Sequence, residues 1–326
     1  MNSLNLDKAC LEAARRQFCL DIGMPWEKYE KNRERQVLIQ KVVYAPGTMN
    51  VAGDGVRNYG ERNSFFRAII CLGQLFICCD EKIYDWVVEQ YAECKPEWFC
   101  DYKNLRKIDA KLKEYGQEIF DTHVYFLPEA EGSDGQNRVK KNCAEQTERN
   151  ESAGFSSSLK ECGVSEDDAK NCIKMPRLAW YEQEEILHFK ENNRFTSAIS
   201  FWEGQPDMLA VAAMREEWKD EQISVPIKEE VGETFKDFDQ SHMCGMAGVS
   251  RDGAYLWQIG INVDKDYAGQ GLGHKLVRTL KDEVLRRGKV PFYGTSESHT
   301  LSQTVGLKAG FVPAWTEVSA REVPEM

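Results

Sequence analysis

The sequence predicts an α/β (α+β) fold in two similar units, each a mixed, mostly antiparallel sheet flanked by helices. Three observations predict it. Each half of the chain carries a pair of apolar, strand-like runs followed by helix-strand steps. A long polar stretch separates the halves, and the second half alone places a glycine-rich turn between a strand-like run and a helix.

Taken in order, Leu6, Cys10, Ala13, Ala14 and Phe18 recur at nearly helical spacing, so residues 4–22 open the chain as an amphipathic helix that Pro25 interrupts. Residues 36–43 alternate as a strand, and the Gly-, Asn- and Pro-containing stretch 45–62 reads as a loop. Residues 65–72 and 74–79, parted by Gly73, read as an antiparallel hairpin. Ile83, Trp86, Val87 and Tyr91 fall on one helical face. Residues 98–102 then read as a short strand, 105–115 as a helix ended by Gly116, and 118–127 as a strand closed by Pro128.

From Glu129 to Cys172 Ser, Gly, Asn, Glu and Lys dominate, the composition of a mobile linker. Beyond it, residues 182–190 and 195–202 read as helices, and 208–214 and 244–249 as strands around an acidic insertion. A turn at Arg251–Ala254 leads into the strand 256–263. The glycine turn Ala268–Gly273, a helix to Arg287, a strand at 290–294, a helix at 300–309 and a strand at 311–318 complete the chain. The shared order of elements, without obvious residue identity, reads as a degenerate tandem repeat: an N-terminal unit at 1–128, an acidic linker at 129–173 and a C-terminal unit at 174–326.

Composition narrows the function classes. Apolar content of 42% and charged content of 29% are those of a soluble globular chain, and no apolar run approaches the roughly 18 residues of a membrane helix. The N-terminus lacks the apolar core of a signal peptide, so a cytoplasmic location is expected. The net charge of −11 argues against general affinity for nucleic acid. Its acids concentrate in two stretches, 129–172 and 216–240, which hold −4 and −6. Eleven cysteines, with neither a CxxC pair nor a zinc ladder, read as reduced, buried thiols. His123, His188 and His242 are scattered without metal-ligand spacing, so no metal site is expected.

Chemistry concentrates at Ala268-Gly269-Gln270-Gly271-Leu272-Gly273. Free N–H groups at a helix start and the positive end of the helix dipole hold an anion, and glycines let the backbone approach it. A Walker loop requires Gly-Lys-Ser/Thr, whereas Gly273 is followed by His274 and Lys275. A dinucleotide fingerprint requires an acidic residue about 20 positions on, at the end of the next strand. The window Lys289 to Phe292 has none. In the first half only Asp80-Glu81-Lys82 lies between strand and helix, so that half has no cradle and reads as a scaffold or a wall of the cleft.

The order strand, glycine loop, helix, strand, helix ending Lys308-Ala309-Gly310-Phe311, strand resembles the GNAT superfamily of acyl-CoA-dependent N-acyltransferases. The likeness in residues runs from Met243 to about Glu317 and, by element order, back to about Pro176. The family loop is Q/R-x-x-G-x-G/A, matched here at Gly271 and Gly273, with Ala268 at the first position. The resemblance implies acetyl-CoA as the cofactor, with its pyrophosphate on the loop Ala268, Gly269, Gln270, Gly271, Leu272, Gly273 and His274. It implies pantetheine along Ile261, Asn262 and Val263, in a strand that splays from its neighbour. A small-molecule or peptide amine would be the acceptor, attacking the thioester directly.

The same alignment puts Gln258 where many relatives carry a glutamate, and Gly306 where a tyrosine often protonates the leaving thiolate. His299 falls where an asparagine contacts CoA, and Ser302 lies one turn on. Candidate catalytic residues are therefore His299, Gln258, where a water could be held, and Tyr293, the nearest tyrosine in sequence. The missing carboxylate and tyrosine leave a non-catalytic acyl-CoA sensor or interaction module open as the alternative.

Overall fold

A computed structural model of the chain describes residues 5–46, 55–57, 64–130, 176–202, 205–215, 225–227, 234–236 and 238–323. The elements are helices α1 (Lys8–Asp21) and α2 (Trp26–Lys31), strands β1 (Val37–Val42), β2 (Phe66–Cys71) and β3 (Gln74–Asp80), helices α3 (Glu81–Tyr91) and α4 (Tyr102–Lys113), and strand β4 (Gln117–Pro128). The second half adds β5 (Leu178–Glu182), α5 (Gln183–Ile186), β6 (Phe201–Trp202), β7 (Gln205–Pro206), β8 (Leu209–Met214), β9 (Val225–Ile227), β10 (Thr234–Lys236), β11 (Met243–Arg251) and β12 (Leu256–Val263). It closes with α6 (Leu272–Arg286), β13 (Val290–Ser296), α7 (Thr300–Lys308) and β14 (Phe311–Glu322).

Ten strands form one sheet in the order β1-β3-β2-β14-β4-β13-β12-β11-β8-β5. Two of its pairings are parallel, β1 with β3 and β12 with β13. The sheet runs through both halves without a break. β4, from the first half, lies between β13 and β14, the strands that α7 joins, and β14 reaches on to pair with β2.

Alternation along the strands sends side chains to two faces. Phe76, Tyr125, Leu256, Phe292 and Trp315 pack under α1 and α2, while Tyr181, Ala210, Ala212 and Met246 pack under the segment from α5 to Ile199; together these make the first face. The second face packs β2, β3 and Val318 under α3 and α4, and Val211, Ala247, Ile259, Tyr293 and Phe311 under α6.

α1 also ties the halves together. Gln17 donates to Gly55 O and Asp21 Oδ1 and accepts from the Tyr255 N–H at 3.0 Å, holding the turn into β12. A buried charge network stitches the first face: Arg57 bridges Asp21 of α1 and Glu317 of β14, and Arg67 of β2 lies 3.6 Å from Glu317. Trp315 Nε1 donates to the same Glu317 carboxylate at 2.7 Å.

Several expectations change. Residues 98–102 form no strand; Pro96 starts a 3-10 turn and Asp101 flanks the start of α4. Residues 195–202 form a turn rather than a helix, and 201–202 pair with 205–206 as a short hairpin. The cause is close packing: Gly248 and Gly260 oppose each other on β11 and β12, and a Cβ at either would stand 2.3 or 2.4 Å from the carbonyl oxygens of Ala198 and Ser197. Only glycine there lets this backbone lie on the sheet. The helix expected at 182–190 is α5 followed by a 3-10 turn at Leu187–Phe189, and β5 is an additional edge strand. The linker expectation lies largely outside the described residues. Cys10, Cys19, Cys71 and Cys79 are free, and burial pushes their thiols up to about 12. Among the described residues no helix is long and apolar enough to cross a membrane.

Candidate active site

β12 and β13 pair from Leu256 with Val290 to Ile259 with Tyr293, and there their ladder stops. β12 continues to Val263, still paired on its other edge with β11. β13 continues to Ser296, still paired on its other edge with β4. A wedge therefore opens between 260–263 and 294–296, and the backbone groups facing it have no strand partner among the described residues. Unpaired N–H and C=O groups at a half-buried position favour an extended polar guest. Ile261, Asn262 and Val263 line this edge, all half-buried.

The glycine loop stands at the open end of the wedge. Asp264 follows β12 and caps the turn 265–267; it accepts from the Asp266 N–H and meets Arg194 and Arg215 at 2.9 and 3.3 Å. That hydrogen bond and Arg194 hold its carboxyl below the usual range. Ala268, Gly269 and Gln270 are exposed, and Gln270 Nε2 donates to Asp266 O at 2.9 Å. Gly271 takes the left-handed conformation, φ +82, and begins α6, which no side chain caps. The first-turn N–H groups of Leu272, Gly273 and His274 thus meet no side-chain acceptor among the described residues.

Leu272 anchors this turn in the core. A Cβ on Gly273 would sit 3.6 to 4.0 Å from Val263, Val305 and Ile261, so the helix start abuts the end of β12 and α7. Burial, then Arg278, Lys308 and Lys275, hold the His274 imidazole below its ordinary pKa. The charge around the helix start is cationic, and it adds to the helix dipole. These groups fit a polyphosphate.

Tyr293 occupies the last paired position of β13, on the α6 face. Its hydroxyl lies 2.7 Å from Ser302 Oγ on α7. Burial raises its pKa, which keeps the phenol protonated, while the bond to Ser302 works the other way. Its ring rests on Gly306: a Cβ there would stand 3.0 Å from Tyr293 Cδ1. The space that a residue-306 side chain would need is filled by a tyrosine arriving from the strand. His299 is exposed at the N-cap position of α7 without a side-chain cap bond; its N–H donates to Ser296 O and its carbonyl accepts from the Gln303 N–H.

Gln258 belongs to the other face of the sheet. It lines a cavity of about 330 Å³ with Gly294, Asp121, His123, Tyr125 and Glu317; Arg67 also borders it. The three candidate catalytic residues are therefore divided: Tyr293 with Ser302 on the α6 face, Gln258 in the opposite cavity, and His299 at the rim of α7. Two residues outside the candidate catalytic set, Asp121 and His123, also line this cavity. The available signal was their i, i+2 spacing on a strand, which puts both on one face.

Comparison with known proteins bears on this geometry. Residues 175–311 match the family described as Acetyltransferase (GNAT) family. Over this segment, less than half of its length, the chain is similar to that family. The matched segment runs from just before β5 to the first residue of β14 and leaves out β1–β4. A GCN5-related N-acetyltransferase-like protein from Streptococcus suis is similar at 12% identity and TM-score 0.35, over 68% of this chain and 69% of that one. A GCN5-related N-acetyltransferase from Sphaerobacter thermophilus is similar at 12% identity and TM-score 0.31, over 80% and 78%. An acetyltransferase from the GNAT family from Colwellia psychrerythraea is similar at 9% identity and TM-score 0.30, over 63% and 57%. No curated protein matches the chain in sequence.

Proposed function

We propose that the protein is an N-acetyltransferase that transfers the acetyl group of acetyl-CoA to a primary amine by direct attack. The observation that carries the reading is the wedge between β12 and β13, opening beside an uncapped helix start at Gly271. In this reading the amides of residues 270–274 hold the pyrophosphate, with Lys275 and Arg278 adding charge. The free backbone edge of Ile261, Asn262 and Val263 aligns the pantetheine arm and polarises the thioester carbonyl. Bound acetyl-CoA supplies the activated acyl carbon; the chain supplies orientation and proton management.

On the α6 face, Tyr293 is the group that protonates the departing sulfur, and Ser302 returns its proton. Both hydroxyls are neutral donors beside the apex of the wedge, and burial of Tyr293 keeps its proton in place. His299, exposed at the head of α7, contacts the cofactor rather than the reacting bond. Residues 174–326 form the unit that holds the cofactor. Residues 1–128 are a degenerate copy that supplies a wall of the acceptor site through β4.

Release of free thiol from acetyl-CoA, measured over a panel of primary amines, tests the reading. Amine-dependent thiol release with acetylated amine as product is expected. Saturable acetyl-CoA binding with no transfer to any amine supports a sensor instead.

A further inference from the structure

We propose that the cavity on the sheet face opposite α6 takes the acceptor as a primary alkylammonium, and that His123, oriented by Asp121, is the base that deprotonates it. The inference rests on the acetyltransferase reading above. The cavity adjoins the wedge at its apex. Gly294, the first residue of β13 beyond the β12 ladder, lines it, and so does Gln258, one residue before that ladder ends. A Cβ on Gly294 would stand 2.6 Å from the Tyr125 ring, so glycine leaves this corner to Tyr125 and the cavity.

His123 sits opposite Ser296 on one side and Glu317 on the other. Opposed residues in neighbouring antiparallel strands share a face with Cβ atoms about 5 Å apart. The imidazole is therefore held beside the free end of β13. Its Nδ1 lies 3.1 Å from Asp121 Oδ1. With its proton on Nδ1, beside that carboxylate, the ring keeps Nε2 as the acceptor. Tyr125 packs against the ring with centroids 5.9 Å apart.

The charges facing the site choose the guest. Glu317 of β14 is engaged by Arg57, Arg67 and Trp315, so its charge is answered within the fold. Asp121 has only His123 as an ionic partner among the described residues. β12 and β13 present Gln258, Gly294 and Ser296, none of them charged. One carboxylate thus remains to attract a cation, in a volume near the small end of ligand cavities. A primary ammonium on a narrow carbon chain fits both.

The proton balance closes. His123 takes one proton from the ammonium and releases it to solvent. The nitrogen lone pair forms the C–N bond as the C–S bond breaks. The second N–H proton replaces the one that the Tyr293–Ser302 pair gives to the departing sulfur. One proton leaves per turnover.

Thiol release by the full chain, with n-butylamine and with an arylamine that is already neutral at pH 7, tests the assignment. His123→Gln is expected to lower kcat/KM for butylamine by ~10²- to 10⁴-fold, the usual contribution of a general base. Acetyl-CoA affinity, thermal stability and arylamine turnover should stay within about threefold or a few degrees of the parent. Asp121→Asn is expected to lower kcat for butylamine, with recovery in Asp121→Glu. Ser319→Trp, which fills the cavity from β14, should raise the butylamine KM alone. Equal losses for both amines, or none, overturn the base assignment; an unchanged KM in Ser319→Trp overturns the cavity. Failure of the parent chain to bind acetyl-CoA would instead remove the acetyltransferase reading itself.

Discussion

Replacing Gly271 by alanine puts a methyl group on a residue held at φ +82. For an L-residue that conformation costs roughly 1–2 kcal/mol. The methyl would stand 3.1 Å from His274 Cε1, the end of a movable side chain, so backbone strain dominates. Gly269→Ala meets the same strain at φ +75 with nothing within 4 Å. Gly273→Ala meets neither: its Cβ would make ordinary contacts at 3.6 Å and beyond, and alanine improves helix propensity by up to ~1 kcal/mol. Urea unfolding should therefore rank Gly273→Ala at or above the parent and the other two roughly 1–2 kcal/mol below it. Gly271→Glu carries the same backbone strain as the alanine variant and adds a negative charge. Beside a pyrophosphate that charge costs on the order of 1–4 kcal/mol at 4 Å, or roughly 5- to 900-fold in the Kd for acetyl-CoA. Calorimetric titration of both variants isolates that difference. Equal affinities for Gly271→Ala and Gly271→Glu would refute the loop as the anion cradle, and a Gly271→Ala variant as stable as the parent would refute its left-handed conformation.

Arg57→Met removes the guanidinium between Asp21 and Glu317 and should cost about 3 kcal/mol or more in urea unfolding, because buried Asp21 loses its cation and Glu317 keeps only Arg67 at 3.6 Å; a loss below about 1 kcal/mol contradicts the network. Tyr293→Phe should lower kcat by ~10²-fold or more while costing only about 0.5–1.5 kcal/mol in stability. Gly306→Tyr should not rescue it: the new Cβ stands 3.0 Å from the residue-293 ring, and such overpacking costs roughly 1–3 kcal/mol. Restored turnover in the double variant would overturn the assignment of Tyr293. His274 has a folded pKa below its ordinary 6.5. Between the two values the unfolded chain holds more protons, so stability is complete above 6.5 and falls as pH drops toward the folded pKa. His274→Gln should remove that slope. A bound polyphosphate favours the imidazolium, so acetyl-CoA affinity in the parent should rise on acidification through the same window; a fall would contradict the placement.

Much of the second half was legible because its signals are local. The run Leu256–Val263, the turn at Gly271 and the amphipathic α6 follow one another in sequence, and each stands where periodicity and glycine chemistry put it. Local signals failed where packing at a distance decides. Residues 195–202 carry helix-like spacing, but Gly248 and Gly260 draw their backbone onto the sheet. β4 is readable as a strand, yet its place between β13 and β14 depends on partners about 170 to 200 positions away. That placement turns His123 from a scattered histidine into a neighbour of the wedge. Gly306 is the reverse case: alignment leaves a gap in the proton-transfer machinery, and only the fold brings the Tyr293 ring over it.

The most direct measurement is a calorimetric titration of acetyl-CoA into the full chain, with NAD as the control. Saturable binding near one molecule per chain in the micromolar range, lost in Gly271→Glu and absent with NAD, is the predicted result. No binding of acetyl-CoA, or equal binding of NAD, would contradict an acyl-CoA site between β12 and β13.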